Sequence, residues 1–111
     1  MASEFGYKLT DKAEADLDGI VSYISVQLAN RQAAADFLDK LQAAINEASA
    51  FQESGAPVDN EFLPCKTIRR KTVGSYIMYY FPDMKAETIY ILHIIYGRRN
   101  LDEILREMSL S

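Results

Sequence analysis

Five cations stand in two short runs, Arg69-Arg70-Lys71 and Arg98-Arg99, at the ends of apolar strands in an otherwise acidic chain. Positive charge gathered from two segments makes a surface suited to an anionic or nucleic-acid-associated partner. Gly97 permits a sharp turn at a strand exit and throws Arg98 and Arg99 toward the end of the sheet, where the first run also arrives. A salt-bridged surface explains any one of these residues; five together predict a site. The aromatic stretch Ser75-Tyr76-Ile77-Met78-Tyr79-Tyr80-Phe81 lies between the runs. Alternation puts Tyr76, Met78 and Tyr80 on one face and Ile77, Tyr79 and Phe81 on the other. One set packs as core, and the other lies open beside the cations, where aromatic faces stack on bases or on a partner's side chains. Tyr76 joins Arg69, Arg70, Lys71, Arg98 and Arg99 as a candidate target-binding residue.

Other reactive side chains read as structural. His93 sits between Leu92 and Ile94, with no nucleophile motif nearby, so a partly buried histidine bonded to backbone is expected in place of a general base. Cys65 follows Pro64 with no CxxC partner and reads as a small core or edge residue. Asp16 and Asp18 are two apart on a helix, point in different directions, and read as solvated charges. One cysteine and one histidine exclude an internal disulfide and a conventional zinc site, so no metal and no cofactor is expected, and a reducing cytoplasm suits the chain.

The elements that must position these residues follow from pattern. The 111 residues, 49% apolar and 25% charged, fit one soluble domain spanning residues 1–111. No apolar run reaches the roughly 18–20 residues of a membrane span, and the N-terminus shows no signal pattern. Residues 1–63 hold four cations against eleven acids (−7), and residues 64–111 hold eight against five (+3), so two different surfaces are expected.

Phe5, Tyr7 and Leu9 alternate as a short first strand. Thr10 caps a helix of about five turns carrying Ala13, Leu17, Ile20, Val21, Ile24 and Leu28 on one stripe. After a break at Ala29-Asn30-Arg31, a second stripe runs from Ala34 to Ala48 and ends near Phe51, so the two helices fold back as an antiparallel hairpin. Ser54 to Glu61 reads as a surface loop, followed by strands at about Lys66–Thr72, Ser75–Phe81 and Thr88–Tyr96. In the last strand Ile89, Ile91, His93 and Ile95 are expected on one face, with Tyr90, Leu92, Ile94 and Tyr96 on the other. Asn100 caps a short final helix, Leu101–Met108. The fold class is α+β, β-αα-βββ-α: a curved antiparallel sheet with a long helix hairpin on one face.

From about Tyr7 to Met108 the chain resembles the ParE/RelE superfamily of type II toxin–antitoxin toxins. The resemblance rests on Tyr7-Lys8-Leu9-Thr10, on Ala13-Glu14-Ala15-Asp16-Leu17 with Ile20 and Tyr23-Ile24, and on Gly74-Ser75-Tyr76-Ile77-Met78-Tyr79-Tyr80. Ile89-Tyr90-Ile91-Leu92-His93 running into Tyr96-Gly97-Arg98-Arg99-Asn100 completes it. It implies the same fold and a toxin held inactive by a cognate antitoxin. ParE-like members poison DNA gyrase; RelE-like members cleave messenger RNA on the ribosome. Where the RelE-like branch carries an arginine after the hairpin glycine this chain has Tyr76, and where that branch carries a catalytic tyrosine it has Leu105. Arg99 alone matches an arginine of that site. The resemblance therefore implies a ParE-like toxin without nuclease activity, with the ribosome-dependent interferase as the alternative.

Overall fold

The computed structural model describes residues 4–58 and 68–97. Cys65, Arg98, Arg99 and the helix expected at Leu101–Met108 lie outside the described residues.

Five strands and two helices follow in the order β1 (Gly6–Leu9), α1 (Asp11–Ser22), α2 (Arg31–Ala50), β2 (Ala56–Val58), β3 (Ile68–Val73), β4 (Tyr76–Asp83) and β5 (Thr88–Tyr96). Thr10 caps α1, its side-chain oxygen accepting from the Ala13 amide at 3.1 Å. Such a cap contributes about 1 kcal/mol. The first helix is not a continuous α-helix of five turns. It passes into a π-helical turn, Tyr23–Gln27, where the Ser25 hydroxyl donates to the Val21 carbonyl at 2.7 Å. Such back-bonding competes with the helical ladder and bends it. Ala29 then takes a left-handed φ of 48°, and Asn30 caps α2 by accepting from the Ala33 amide. The chain reverses there, which produces the expected hairpin.

The strand order is β1-β5-β4-β3-β2. The pairings β2–β3, β3–β4 and β4–β5 are antiparallel, but β1 pairs with β5 in parallel, Gly6 opposite Thr88 through Leu9 opposite Ile91. The expectation of a wholly antiparallel sheet is thus corrected at its first strand. A period of two is common to both strand directions, so alternation alone leaves the direction undetermined. The stretch expected as a plain loop, Ser54 to Glu61, contains β2, three residues long and interrupted by Pro57. Proline in an edge strand is tolerated because one side of the strand makes no ladder.

A β-bulge fixes which side chains lie under the helices. Tyr79 faces His93 and Tyr80 faces Ile91, which leaves Leu92 without a counterpart in β4. The extra residue shifts the alternation. Ile94 therefore joins Ile89 and Ile91 under the helices with Met78 and Tyr80, packed on Ala13, Ile20, Phe37 and Leu41. Ile95 moves to the other face with Leu92, contrary to the strict alternation read from sequence. That second face is not an open platform. Ile68, Tyr79 and Ile95 are buried on it, with Val58, Ile77 and Leu92 packed against them. No described helix is long and apolar enough to cross a membrane.

Candidate functional site

Arg69, Arg70 and Lys71 are consecutive in β3, so their side chains leave on alternate faces. Arg69 lies opposite Tyr80 and Lys71 opposite Met78, on the helix side. There Arg69 Nη1 donates to the Gly55 carbonyl at 2.7 Å and to the Glu53 carbonyl at 3.3 Å, tying down the segment that leads into β2. Lys71 Nζ meets Glu47 Oε1 at 2.7 Å and donates to Ser54 Oγ at 3.0 Å, joining β3 to α2. Both cations already have internal partners. Arg70 leaves on the other face, exposed and opposite Tyr79. Burial pushes the Tyr79 phenol above its usual range, and the Arg70 charge opposes that shift. The basic run is therefore divided between two faces, and its meeting with Arg98 and Arg99 falls outside the described residues.

Tyr76 takes part in an aromatic cluster on the helix side. Its ring packs edge-on against Phe37 at 5.2 Å and against Tyr96 at 5.7 Å. Tyr23 and Tyr96 are exposed at the margin of this cluster. Desolvation raises the Tyr76 phenol pKa, and Tyr23 and Tyr96 raise it further. Tyr80, fully buried, accepts from the Gly55 amide at 2.9 Å and donates to the Gln52 carbonyl at 3.0 Å. Gly55 is required there: a Cβ would fall 2.6 Å from the Tyr80 hydroxyl and 2.7 Å from the Arg70 carbonyl.

The sequence reading of Asp16 needs correction. His93, expected as a partly buried structural histidine, is 1% exposed, and its Nδ1 faces Asp16 Oδ2 of α1. The same carboxylate oxygen accepts from the Ile94 amide at 3.1 Å. Asp16 is thus a half-buried anchor and not a solvated helix charge. Its position three residues after Ala13 and four before Ile20 puts it on the buried stripe of α1, and this signal was available in the sequence. Lys40 also went unremarked in the sequence; its side chain lies over the β3–β4 turn, where Gly74 has a φ of +63°. Among the described residues no group of His, Cys, Asp and Glu is arranged to hold a metal ion.

Comparison with known proteins places this geometry in a family. The family model for the ParE toxin of the type II toxin–antitoxin system, parDE, matches residues 7–101. Toxin ParE1 of Caulobacter vibrioides is 34% identical over 87 residues, covering 78% of this chain and 86% of that toxin. The fold is similar to that in the chromosomal ParDE toxin–antitoxin system from P. aeruginosa, with a TM-score of 0.64 at 23% identity over 84% of this chain and 96% of that one. It is also similar to that in the RelBE2 toxin–antitoxin complex from Mycobacterium tuberculosis, with a TM-score of 0.58 at 20% identity over 84% and 98% of the two chains.

Proposed function

Because the chain belongs to the ParE toxin family of type II toxin–antitoxin systems, we propose that it arrests growth by binding DNA gyrase, without turnover of its own, and that a cognate antitoxin neutralises it. The observation that carries binding over cleavage is the fate of His93. The one side chain whose ordinary pKa lies near neutrality is buried against Asp16, where it fastens β5 to α1. Cleavage of RNA through its 2′-hydroxyl requires a base, an acid and charge stabilisation at the phosphate. Tyr76 and Tyr79 hold their protons more tightly than free phenols do, which suits packing and not proton shuttling near pH 7. Arginine stabilises charge but has too high a pKa to move protons. The solved relatives come from toxin–antitoxin systems, which supports an antitoxin as partner.

Of the expected target-binding residues, this reading keeps Arg70, Arg98 and Arg99 as candidates for the target, because Arg69 and Lys71 are engaged by the Gly55 carbonyl, Glu47 and Ser54 and Tyr76 packs on Phe37 and Tyr96. Replacing Arg98 and Arg99 with glutamate is expected to abolish growth arrest, with thermal unfolding measured alongside to show that the double variant folds. Retained toxicity in the folded double variant would move the target surface elsewhere, to the helix hairpin first. The target itself is tested by inducing the gene alone and measuring plasmid supercoiling and, separately, primer extension on ribosome-bound message. Inhibited supercoiling with intact message is expected. Reproducible cuts in the ribosomal A site, lost on mutating Arg99, would replace this reading with that of a ribosome-dependent mRNA interferase.

A further inference from the structure

A hollow of about 340 Å³ lies where α1 packs across the end of β5. Asp16 and Gly19 of α1, Tyr23 of the π-helical turn, Tyr76 of β4 and Tyr96 of β5 line it. The rings of Tyr76 and Tyr96 are 5.7 Å apart and inclined at 70°, so they form two walls of a corner. Tyr23 is near enough to act on the Tyr76 phenol and supplies a third wall. Phe37 backs Tyr76 at 5.2 Å and fixes its ring, whereas Tyr23 and Tyr96 are about half exposed. The room inside comes from Gly19, where an added Cβ would meet nothing within 4 Å. Glycine inside a helix weakens it, so the missing side chain is a cost that keeps the hollow open.

The charge of the hollow selects its occupant. Aromatic faces carry negative potential and attract a cation. Asp16 adds a carboxylate, whose Oδ2 is engaged by His93 Nδ1 and the Ile94 amide. Among the described residues Oδ1 faces only Lys12, at a long 3.9 Å, and no lysine or arginine lines the hollow. A strand residue sends its carbonyl to the same side as its amide, so the Ile94 carbonyl turns toward α1 as a further acceptor. Guanidinium suits this set better than ammonium does. It is planar and weakly hydrated, stacks on aromatic rings, and keeps its N–H groups at the rim for an oxygen acceptor. We infer that the hollow between α1 and the end of β5 binds one guanidinium group, stacked on the tyrosines and donating to Asp16 Oδ1. The site goes beyond the toxin reading, since it uses neither Arg70 nor Arg98 nor Arg99.

The test titrates the full chain, with ¹³C-labelled tyrosine rings and ¹⁵N-labelled amides, with N-acetyl-arginine methylamide and its lysine and citrulline counterparts. The arginine compound is expected to shift the ring signals of Tyr23, Tyr76 and Tyr96 and the Ile94 amide, leaving Tyr7, exposed on β1, as the unmoved control. It should bind about tenfold more tightly than the citrulline compound, which has its shape without its charge. Gly19→Leu fills the hollow with a good helix former, and Tyr96→Leu removes one aromatic wall. Each is expected to weaken binding by about threefold to fivefold or more, with thermal unfolding showing that the variant folds. A capped Ala-Ala-Arg-Ala-Ala peptide and methylguanidinium distinguish the source. Tighter binding of the peptide assigns the site to an arginine of a protein partner, and tighter binding of methylguanidinium assigns it to a free small cation. Unmoved tyrosine rings, equal binding of the citrulline or lysine compound, or full affinity in both variants overturns the inference. Binding that appears only in the Arg98→Gln, Arg99→Gln double variant also overturns it, because the chain's own arginine then occupies the hollow.

Discussion

At one side of the sheet β1 covers Thr88–Ile91 of β5, and at the other β2 covers Ile68–Arg70 of β3. Each side thus leaves part of an inner strand without a described strand partner, but the two remainders are treated differently. Beyond β1, the loop and helix that follow it supply Thr10 and Asp16, whose side chains bond the Leu92 carbonyl and the Ile94 amide. Beyond β2, the nearest side chains are Lys40, Lys71 and Glu47, and they bond to each other or remain exposed. A bare edge invites pairing with another chain, and proteins ordinarily block it. Blocking one edge with a carboxylate directs any incoming strand to the other. The contrast follows from chain order, since α1 leaves β1 directly and crosses β5, whereas β2 is followed by residues 59–67 before β3 begins.

The most severe way to break this contrast is to remove the plug. Asp16→Ala removes the carboxylate oxygen that both His93 Nδ1 and the Ile94 amide face. Taking away the acceptor of a buried hydrogen bond costs about 1–3 kcal/mol, and here one oxygen serves two groups. Denaturant unfolding is expected to show a loss of that size, with faster amide exchange at Ile94. Asp16→Asn keeps one oxygen acceptor and is expected to cost less. A loss below about 1 kcal/mol for the alanine variant would mean that the carboxylate only decorates the edge.

At the open edge the sensitive point is backbone contact. Gly55→Ala puts a methyl group 2.6 Å from the Tyr80 hydroxyl and 2.7 Å from the Arg70 carbonyl. Forcing atoms into a filled site costs about 1–3 kcal/mol. Part of the clash is with a side chain, so Tyr80→Phe in the same chain should relieve it. The double variant is then expected to be more stable than the sum of the two single losses allows, the signature of neighbours that share one space. Additive losses would show that the backbone carbonyl alone sets the limit. Because β2 hangs on this contact, Gly55→Ala should also loosen exchange at Ala56–Val58 before it affects β5.

Much of the arrangement was legible in the residues, and the parts that were not share a cause. Helix stripes, the Thr10 cap and the span Thr88–Tyr96 depend on local spacing, which the sequence displays directly. The parallel pairing of β1, the bulge at Leu92 and the strand around Pro57 depend on which segment lies alongside, which periodicity does not encode. The candidate site divides in the same way. That Arg69, Arg70 and Lys71 alternate in direction follows from their being in a strand. That Glu47, Ser54 and the Gly55 carbonyl take up two of the three depends on the return path of α2 and the loop after it. Asp16 could have been recognised, because it falls on the same helical stripe as Ala13 and Ile20, but a carboxylate on an apolar stripe names no partner until β5 is placed beside it.

The smallest expected effect distinguishes the two edges by their phenols. Tyr76 lies beside the plugged edge, where desolvation, Tyr23 and Tyr96 all raise its pKa above the usual 10.0. Tyr79 lies beneath Arg70, where desolvation raises the pKa and the guanidinium lowers it. A phenol whose folded pKa is raised keeps a proton that the unfolded chain gives up. Its contribution to stability is therefore complete below about pH 10 and is lost as the pH climbs through the folded value. Unfolding midpoints are expected to be flat from neutrality to about pH 10 and to decline above it, and Tyr76→Phe and Tyr79→Phe should each make the decline shallower. Arg70→Gln removes the opposing charge at Tyr79, so it should steepen the alkaline decline, and this effect should vanish when Tyr79 is phenylalanine. If Arg70→Gln steepens the decline equally with or without the Tyr79 hydroxyl, the guanidinium acts on some group other than this phenol.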